Sequence, residues 1–210
     1  KAITRIGPVG TARVELNGGH AWTVTGYPAD AVQIGIHGLF DEPPSLIVSG
    51  INIGYNHGAA FLMSSGTVGA AVEGWASGIP SIALSTGANG DWSAWKRRVL
   101  DPAVGTDLVS DVHDAGLDTL ADVVTINVPF DATTTTKRQV TRIAKVGYDR
   151  LFTHQGDGVY EHDFGGGIIE FEAVEGTDIA AARDDQISIA PIWMPSAAPV
   201  PEIVRAQLEC

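Results

Sequence analysis

The sequence predicts an α/β fold with a mainly parallel β-sheet. Two short segments, SLIVSG from Ser45 and IPSIALS from Ile79, have the nearly continuous apolar character of strands buried in such a sheet. Between them, TVGAAVEGWASG has apolar residues at the i, i+3, i+4, i+7 spacing of an amphipathic helix. These inner-face positions are Val68, Ala71, Val72 and Trp75. A strand, a helix and a second strand in this order form a βαβ unit, which requires a parallel pairing.

Composition indicates one globular domain. The 210 residues are 44% hydrophobic and 18% charged, the balance of a protein with a real core. No apolar run reaches the roughly 18 residues of a membrane span. A net charge of −12 disfavours binding to nucleic-acid polymers, which depends on clustered basic residues. Because the one cysteine is Cys210, an internal disulfide framework and a thiolate metal site are excluded, and a cytoplasmic location is expected.

The first forty residues predict a hairpin and a short helix. Residues 11–25 read as two strands around an Asn-Gly-Gly turn at 17–19, a strong hairpin signal. In the segment GYPADAVQIGIHGLF, Asp30 is the predicted cap of a short helix. The apolar positions of that helix are Val32, Ile36 and Leu39.

Further along the chain, Gly78 and Pro80 end the helix of the βαβ unit.

The remainder of the chain completes the domain, 1–210, whose predicted α/β core is 1–132. A helix is expected after Asp101, and ADVVTINVP is a third strand. The inner face of that helix would hold Val104, Leu108, Val112 and Ala115. Strand-like segments with glycine turns predict a β-hairpin extension at 133–175. The strand ISIAPIW marks a return to the core at 176–193, and a proline-rich linker with a C-terminal helix fills 194–210.

Ser65, Gly66 and Thr67 lie where a loop becomes the helix of the βαβ unit. The first N–H groups of a helix have no intrahelical partner, and the helix dipole favours an anion there. Two hydroxyls and a glycine allow a phosphate to approach closely. The alternative is an ordinary serine cap.

Asn52 and Asn56 follow the first strand of the unit, at its carboxyl end, where doubly wound sheets bind ligands. An asparagine oxygen is a suitable ligand for Mg²⁺ or Mn²⁺, and its amide donates to phosphate. Alone, the two asparagines would be interpreted as turn residues. Together with the hydroxyl triplet they favour a phosphate site. The neighbouring His57 has the default interpretation of a polar surface residue.

Other motifs are absent or weak. The sequence contains no GxxxxGK[ST] loop, no GxGxxG and no GxSxG. A group of histidines and aspartates between 154 and 163 has no spacing typical of a metal site, so a solvated hairpin is the preferred interpretation.

The stretch SLIVSGINIGYNHG followed by SSGTVGAAVEGWASGIPSIALS resembles the core signature of the SurE (survival protein E) family. GYPADAV, VVTINVP and GTDIAAARDDQISIAPI are collinear with further family segments. The resemblance implies a Rossmann-like three-layer sandwich with a hairpin extension, assembled as a homodimer or homotetramer. It also implies a phosphomonoesterase that hydrolyses nucleoside monophosphates or related small phosphate esters with one divalent cation, Mg²⁺ or Mn²⁺ (Ca²⁺ in crystals). A non-catalytic phosphate-binding module and a phosphatase of a non-nucleotide metabolite are the alternatives.

The resemblance assigns the metal-ligand role to Asn52 and phosphate contacts to Asn56, Ser65, Gly66 and Thr67. Asp30 matches a recurrent aspartate, for which a structural role is expected. The family's metal-binding aspartates, in an Asn-Asp-Asp-Gly segment, are not in this sequence, and Asp184-Asp185 does not fit their context. The catalytic residues therefore stay unassigned, and the missing carboxylates are expected from a preceding segment. Without that segment's strand, an open sheet edge is expected.

Overall fold

A computed structural model describes residues 2–87, 105–163 and 167–194. The strands are β1 (Thr11–Leu16), β2 (Gly19–Val24), β3 (Ile47–Ile53), β4 (Ser81–Thr86), β5 (Val123–Val128), β6 (Arg138–Val140), β7 (Val146–Tyr148), β8 (Phe152–Gly156), β9 (Val159–His162), β10 (Ile168–Glu170) and β11 (Ile187–Ile192). The helices are α1 (Pro28–Ile34), α2 (Ala59–Ser64), α3 (Gly66–Ala76), α4 (Thr106–Asp114), α5 (Leu117–Leu120) and α6 (Asp178–Arg183), and a π-helical turn at Gly35–Leu39 continues α1.

The central sheet has five strands in the order β3-β4-β5-β11-β6. Strands β3, β4 and β5 are parallel, β11 runs antiparallel to β5, and β6 is parallel to β11. The predicted α/β fold with a mainly parallel sheet is thus confirmed. Among the described strands β3 is an edge strand, and its Val48 is 45% exposed. The prediction of a fully buried strand at SLIVSG is therefore wrong.

The core lies on both faces of the central strands. Every residue of β4 and β5 is buried, as their apolar runs predict. On one face, Leu108 and Val112 of α4 pack with side chains of β4, β5 and β11. On the other, Val68 and Ala71 of α3 pack with Ala83 and neighbouring strand residues. Helices on both faces make a three-layer arrangement.

Helix α3 buries a wider surface than its apolar spacing predicts, because α1 also packs against it. Glu73 and Gly74 are buried, and the Glu73 carboxylate accepts a hydrogen bond from Gln33 Nε2 of α1. A Cβ at Gly74 would meet Ser81 Oγ, so the helix is closely packed on the sheet. Trp75, predicted on the inner face, is 37% exposed, and that prediction is wrong.

Two further details of the predicted helices are corrected. Tyr27, not Asp30, is the N-cap of α1. Asp30 lies at the third helical position, where its carboxylate accepts hydrogen bonds from the Tyr27 N–H (2.8 Å) and from the Thr4 N–H and hydroxyl (2.9 and 2.6 Å). The bond from the Thr4 hydroxyl, above all, lowers the pKa of Asp30. Ala115, predicted to be inward-facing, is exposed beyond the end of α4, and Val104 lies outside the described residues.

Antiparallel pairs surround the sheet. The predicted hairpin at 11–25 is confirmed as β1–β2, and β8–β9 form a second hairpin that turns at 157–158. Strands β7 and β10 make a third pair. The segment 133–175 thus contributes β6 to the central sheet as well as these pairs. The predicted helix after residue 200 lies outside the described residues.

Candidate active site

The carboxyl edge of β3, β4 and β5 collects the residues that the sequence singled out. Because α3 is the crossover between the parallel strands β3 and β4, its first turn returns to the edge where β3 ends. Asn52, Asn56 and the Ser65–Thr67 triplet are therefore on the same edge. This is the edge at which open α/β sheets bind ligands.

Asn52 is placed by an irregularity in β3. The pairing with β4 shifts between Ser49 and Asn52, a β-bulge that redirects the residues after it. Gly50 makes the bulge possible: its φ is +125°, and a Cβ there would run into the carbonyl of Leu84. The Asn52 amide nitrogen donates to the carbonyls of Ile53 (3.1 Å) and Gly54 (2.9 Å). Its remaining polar atom, Oδ1, is an acceptor of the kind that binds hard cations.

Asn56 belongs to a buried network that joins the loop to two strands. Its backbone N–H donates to Asn127 Oδ1 (2.8 Å), and its side-chain Nδ2 donates to Ser85 Oγ (2.6 Å). Ser85 and Asn127 are paired neighbours on β4 and β5 and are both at most 2% exposed. Asn127 Nδ2, also buried, has no hydrogen-bond partner among the described residues. The network holds the loop, and the phosphate contact of Asn56 stays a prediction.

Gly58 anchors the other end of this loop. Its N–H donates to Asp178 Oδ2 at 2.7 Å, and its φ of +74° favours glycine. The Asp178 side chain is fully buried at the start of α6 and also accepts hydrogen bonds from the N–H groups of Ala144 (3.0 Å) and Ile179 (2.9 Å). One carboxylate thus connects the loop after β3 with the segment before β7.

The start of α3 combines a capped turn with unpartnered donors. Ser65 is the N-cap, and its Oγ accepts a hydrogen bond from the Val68 N–H at 3.1 Å. The cap interpretation of Ser65 is therefore correct. The N–H groups of Gly66 and Thr67 make no backbone hydrogen bond within the described residues. A cavity of about 380 Å³ opens beside this turn, with Ser65, Gly66 and Tyr27 in its wall, whereas Asn52 and Thr67 are not among its lining residues.

His57 is not the polar surface residue predicted. It is half-buried, stacks on Tyr55 with ring centroids 5.0 Å apart, and contacts Phe61 edge-on at 6.4 Å. Burial, above all, lowers the pKa of His57; a hydrogen bond to its own backbone and the charge of Asp178 raise it, and the charge of Arg183 lowers it. The imidazole is therefore neutral near pH 7, which adds no charge next to Asn56.

The described residues do not form a complete metal site. Within 2–87, 105–163 and 167–194 no three His, Cys, Asp or Glu side chains come together as a possible ion site. Asn52 Oδ1 fits as one neutral ligand, but a divalent cation such as Mg²⁺ also needs one or two carboxylates. The histidine-containing hairpin β8–β9 likewise holds no such group.

No helix in these ranges has the length and apolarity to cross a membrane.

Several important residues were missed by sequence reasoning. The loop that carries Asn56 is held by hydrogen bonds to three of them, Ser85, Asn127 and Asp178. The fourth is Tyr55, whose ring stacks on His57 in the same loop. Ser85 and Asn127 had a signal, because each is a polar residue near the carboxyl end of a mostly apolar strand. For Asp178 the signals were its place in the family-like segment GTDIAAARDDQISIAPI and directly after Thr177, the N-cap of α6.

The fold and this edge define an α/β protein whose candidate ligand site lies at the carboxyl ends of parallel strands. The family profile "Survival protein SurE" matches residues 1–150. Two relatives named 5′-nucleotidase SurE are similar along most of the chain: that of Methanocella arvoryzae is 34% identical over 204 residues, 91% of this chain and 76% of its own. That of Methanoregula boonei is 35% identical over 205 residues, which are 92% of this chain and 76% of its own. The chain belongs to the SurE family.

A solved structure agrees with this assignment. The crystal structure of the SurE protein from Aquifex aeolicus superimposes with a TM-score of 0.72 at 27% identity, and the match covers 99% of this chain and 81% of that one. The predicted family resemblance is confirmed by the profile, by the relatives and by this structure. The chain is accordingly a hydrolase of the phosphatase type.

Proposed function

We propose that this protein is a metal-dependent phosphomonoesterase that hydrolyses nucleoside monophosphates. The observation that carries the proposal is the placement of the start of α3, with its unpartnered N–H groups, at the same sheet edge as Asn52. Membership of the SurE family supports the same activity, since the relatives carry the name 5′-nucleotidase. A phosphate monoester brings two negative charges, and this edge is suited to receive them.

The residues of the chain bind and orient the phosphoryl group. The N–H groups of Gly66 and Thr67 and the Thr67 hydroxyl donate to its oxygens, and the positive end of the α3 dipole stabilises its charge. From Ser49 to Gly78 the only formally charged residue is Glu73, which is buried further along α3. The loop therefore presents no carboxylate that would repel the substrate. A divalent cation such as Mg²⁺ or Mn²⁺ would supply Lewis acidity when bound, and Asn52 Oδ1 would be one of its ligands.

The test compares hydrolysis of a panel of monophosphates with Mg²⁺, with Mn²⁺ and with a chelator. Chelation is expected to abolish hydrolysis, and either added cation to restore it. Thr67→Val keeps the shape of the side chain and the Ser65 cap but removes the hydroxyl. Its kcat/KM is expected to fall roughly 10- to 100-fold, the loss of one hydrogen bond to a charged group. Thr119→Val is the matched control, because it makes the same change at a hydroxyl that donates to the Gly116 carbonyl before β5, away from this sheet edge.

The outcomes separate the candidate functions. Hydrolysis that is indifferent to chelation would contradict the metal dependence. Phosphate binding without turnover would favour the non-catalytic module. In a titration with Mn²⁺, Asn52→Ala is expected to need a higher cation concentration for half-maximal activity, since one ligand is lost.

We also propose a homodimer or homotetramer, a cytoplasmic location, and no binding to membranes or nucleic-acid polymers. Exposed apolar side chains on or next to the antiparallel pairs support assembly, among them Tyr160 of β9 and Phe171 directly after β10, at 63% and 70% exposure. Light scattering coupled to size exclusion would measure the oligomeric state. A monomer at micromolar concentration would contradict this part of the proposal.

A further inference from the structure

A second cavity lies at the same sheet edge. It has a volume of about 360 Å³, at the lower end of the roughly 300–1,000 Å³ of small-molecule pockets. Its wall combines Gly87, which directly follows β4, with Pro129–Ala132, which directly follow β5. Tyr55, one residue before the Asn56 network, forms another part of the wall. The cavity is therefore a direct neighbour of the loop that carries Asn56.

The chemistry of the wall differs from that of the start of α3. It contains two aromatic rings, Tyr55 and Phe130, two carboxylates, Asp131 and Asp185, and the hydroxyl side chain of Thr136. No Lys or Arg is among the described lining residues. Carboxylates repel a phosphate group and accept hydrogen bonds from hydroxyl and amino groups. The aromatic rings provide flat apolar surface for a ring system.

Tyr55 is held firmly in this wall. Its ring stacks on His57, and its hydroxyl lies so close to Gly87 that a Cβ there would be 2.8 Å from the oxygen. Burial, followed by the charge of Asp185, raises the pKa of Tyr55. The phenol is thus neutral at physiological pH, and its hydroxyl remains a hydrogen-bond donor near a carboxylate.

We propose that this cavity binds the leaving group of the phosphate ester, and that it selects neutral or cationic leaving groups with hydroxyl or amino donors against anionic ones. The inference rests on the proposed phosphomonoesterase function. A nucleoside has the required features, a flat ring system with hydroxyl and amino donors. Esters whose leaving group carries a carboxylate or a second phosphate are poor substrates, because Asp185 repels them.

The experiment uses three aryl phosphates that differ only in the charge of the para substituent: 4-aminomethyl, 4-hydroxymethyl and 4-carboxy. Wild-type kcat/KM is expected to decrease in that order. Asp185→Asn removes one charge at constant shape, and Asn tolerates the backbone φ of +51° at this position. It is expected to raise the ratio of kcat/KM for the 4-carboxy ester to that for the 4-hydroxymethyl ester roughly three- to tenfold, as expected for charges several ångströms apart near a surface. Comparing this ratio between proteins cancels the intrinsic reactivity of each ester.

Asp184→Asn is the matched control, because the adjacent carboxylate makes the same charge change and is not in the wall of the cavity. Its ratio is expected to stay within about twofold of wild type, since exposed charges away from the site are screened. A second variant, Tyr55→Phe, keeps the ring and is expected to raise KM for the 4-hydroxymethyl ester several-fold with little change in kcat, the signature of lost ground-state binding.

The outcomes distinguish this inference from the proposed function. If wild type hydrolyses the esters but the ratio responds equally to Asp185→Asn and Asp184→Asn, the leaving-group assignment is overturned and the phosphomonoesterase function stands. If wild type hydrolyses no phosphate ester, both proposals fall. A selective response to Asp185→Asn supports both.

Discussion

Replacing Asp178 tests whether one buried carboxylate holds the active-site loop. The side chain is fully buried and accepts three backbone hydrogen bonds, of which those from Gly58 and Ala144 link distant segments. Hydrogen bonds to charged groups contribute about 1.5–3 kcal/mol each, and a buried donor left unpaired carries its full desolvation penalty. Counting the two distant bonds, Asp178→Ala is expected to lower the free energy of unfolding by about 3–5 kcal/mol. Asp178→Asn retains one acceptor oxygen and should lower the free energy of unfolding by about 2 kcal/mol.

The assay is equilibrium urea denaturation at one fixed protein concentration, because assembly would otherwise shift the apparent stability. Asp184→Ala, at the exposed end of the same helix, is the control and should stay within about 0.5 kcal/mol of wild type. The hydrolytic activity of folded Asp178→Asn should fall as well, since Gly58 loses its anchor. A loss below about 1 kcal/mol for Asp178→Ala would refute the reasoning, because it would mean that water or other groups satisfy both donors.

Two further predictions concern pH and packing. The hydrogen bond from His113 to buried Asp118 (2.6 Å), and then the charge of that carboxylate, raise the pKa of His113. The stabilisation that this interaction gives the folded protein is therefore complete below the unfolded-state pKa of about 6.5. It is lost as pH rises through the higher folded-state pKa. The gap in urea midpoint between wild type and His113→Gln should shrink from about pH 5.5 to about pH 9, and a constant gap would contradict this. Gly74→Ala would place a methyl group 2.7 Å from Ile47 Cγ1 and should destabilise by about 1–2 kcal/mol in thermal or urea unfolding. At Gly38, where a Cβ meets nothing within 4 Å, the same change should be neutral or slightly stabilising. Equal effects on stability at Gly74 and Gly38 would exclude overpacking as the cause of the loss at Gly74.

The sequence was sufficient where the signal is local. The apolar runs of β4 and β5, the turn of the first hairpin and the helical spacing of α3 each depend on a few adjacent residues, and all are found in the structure. The position of the phosphate-type loop between β3 and α3 followed from the same local patterns. The metal and phosphate contacts assigned to Asn52 and to the Ser65–Thr67 triplet stay predictions.

What the sequence did not predict depends on contacts between distant segments. Glu73 is buried because α1 covers α3, and no periodicity within α3 contains that information. Asn56 is committed to Ser85 and Asn127, residues 29 and 71 positions away, so its buried state could not be read from a loop sequence. Trp75 was assigned to the core by spacing alone, but its position at the end of α3 exposes it.

The bond between Gly58 and Asp178 spans 120 residues of chain. During synthesis the loop after β3 is made early, yet its anchor is translated long afterwards, and contacts of such long range form slowly. A nascent polypeptide therefore lacks the tether that shapes its phosphate loop until the α6 segment has emerged. Enzymatic activity should consequently appear only after the α6 segment has been translated.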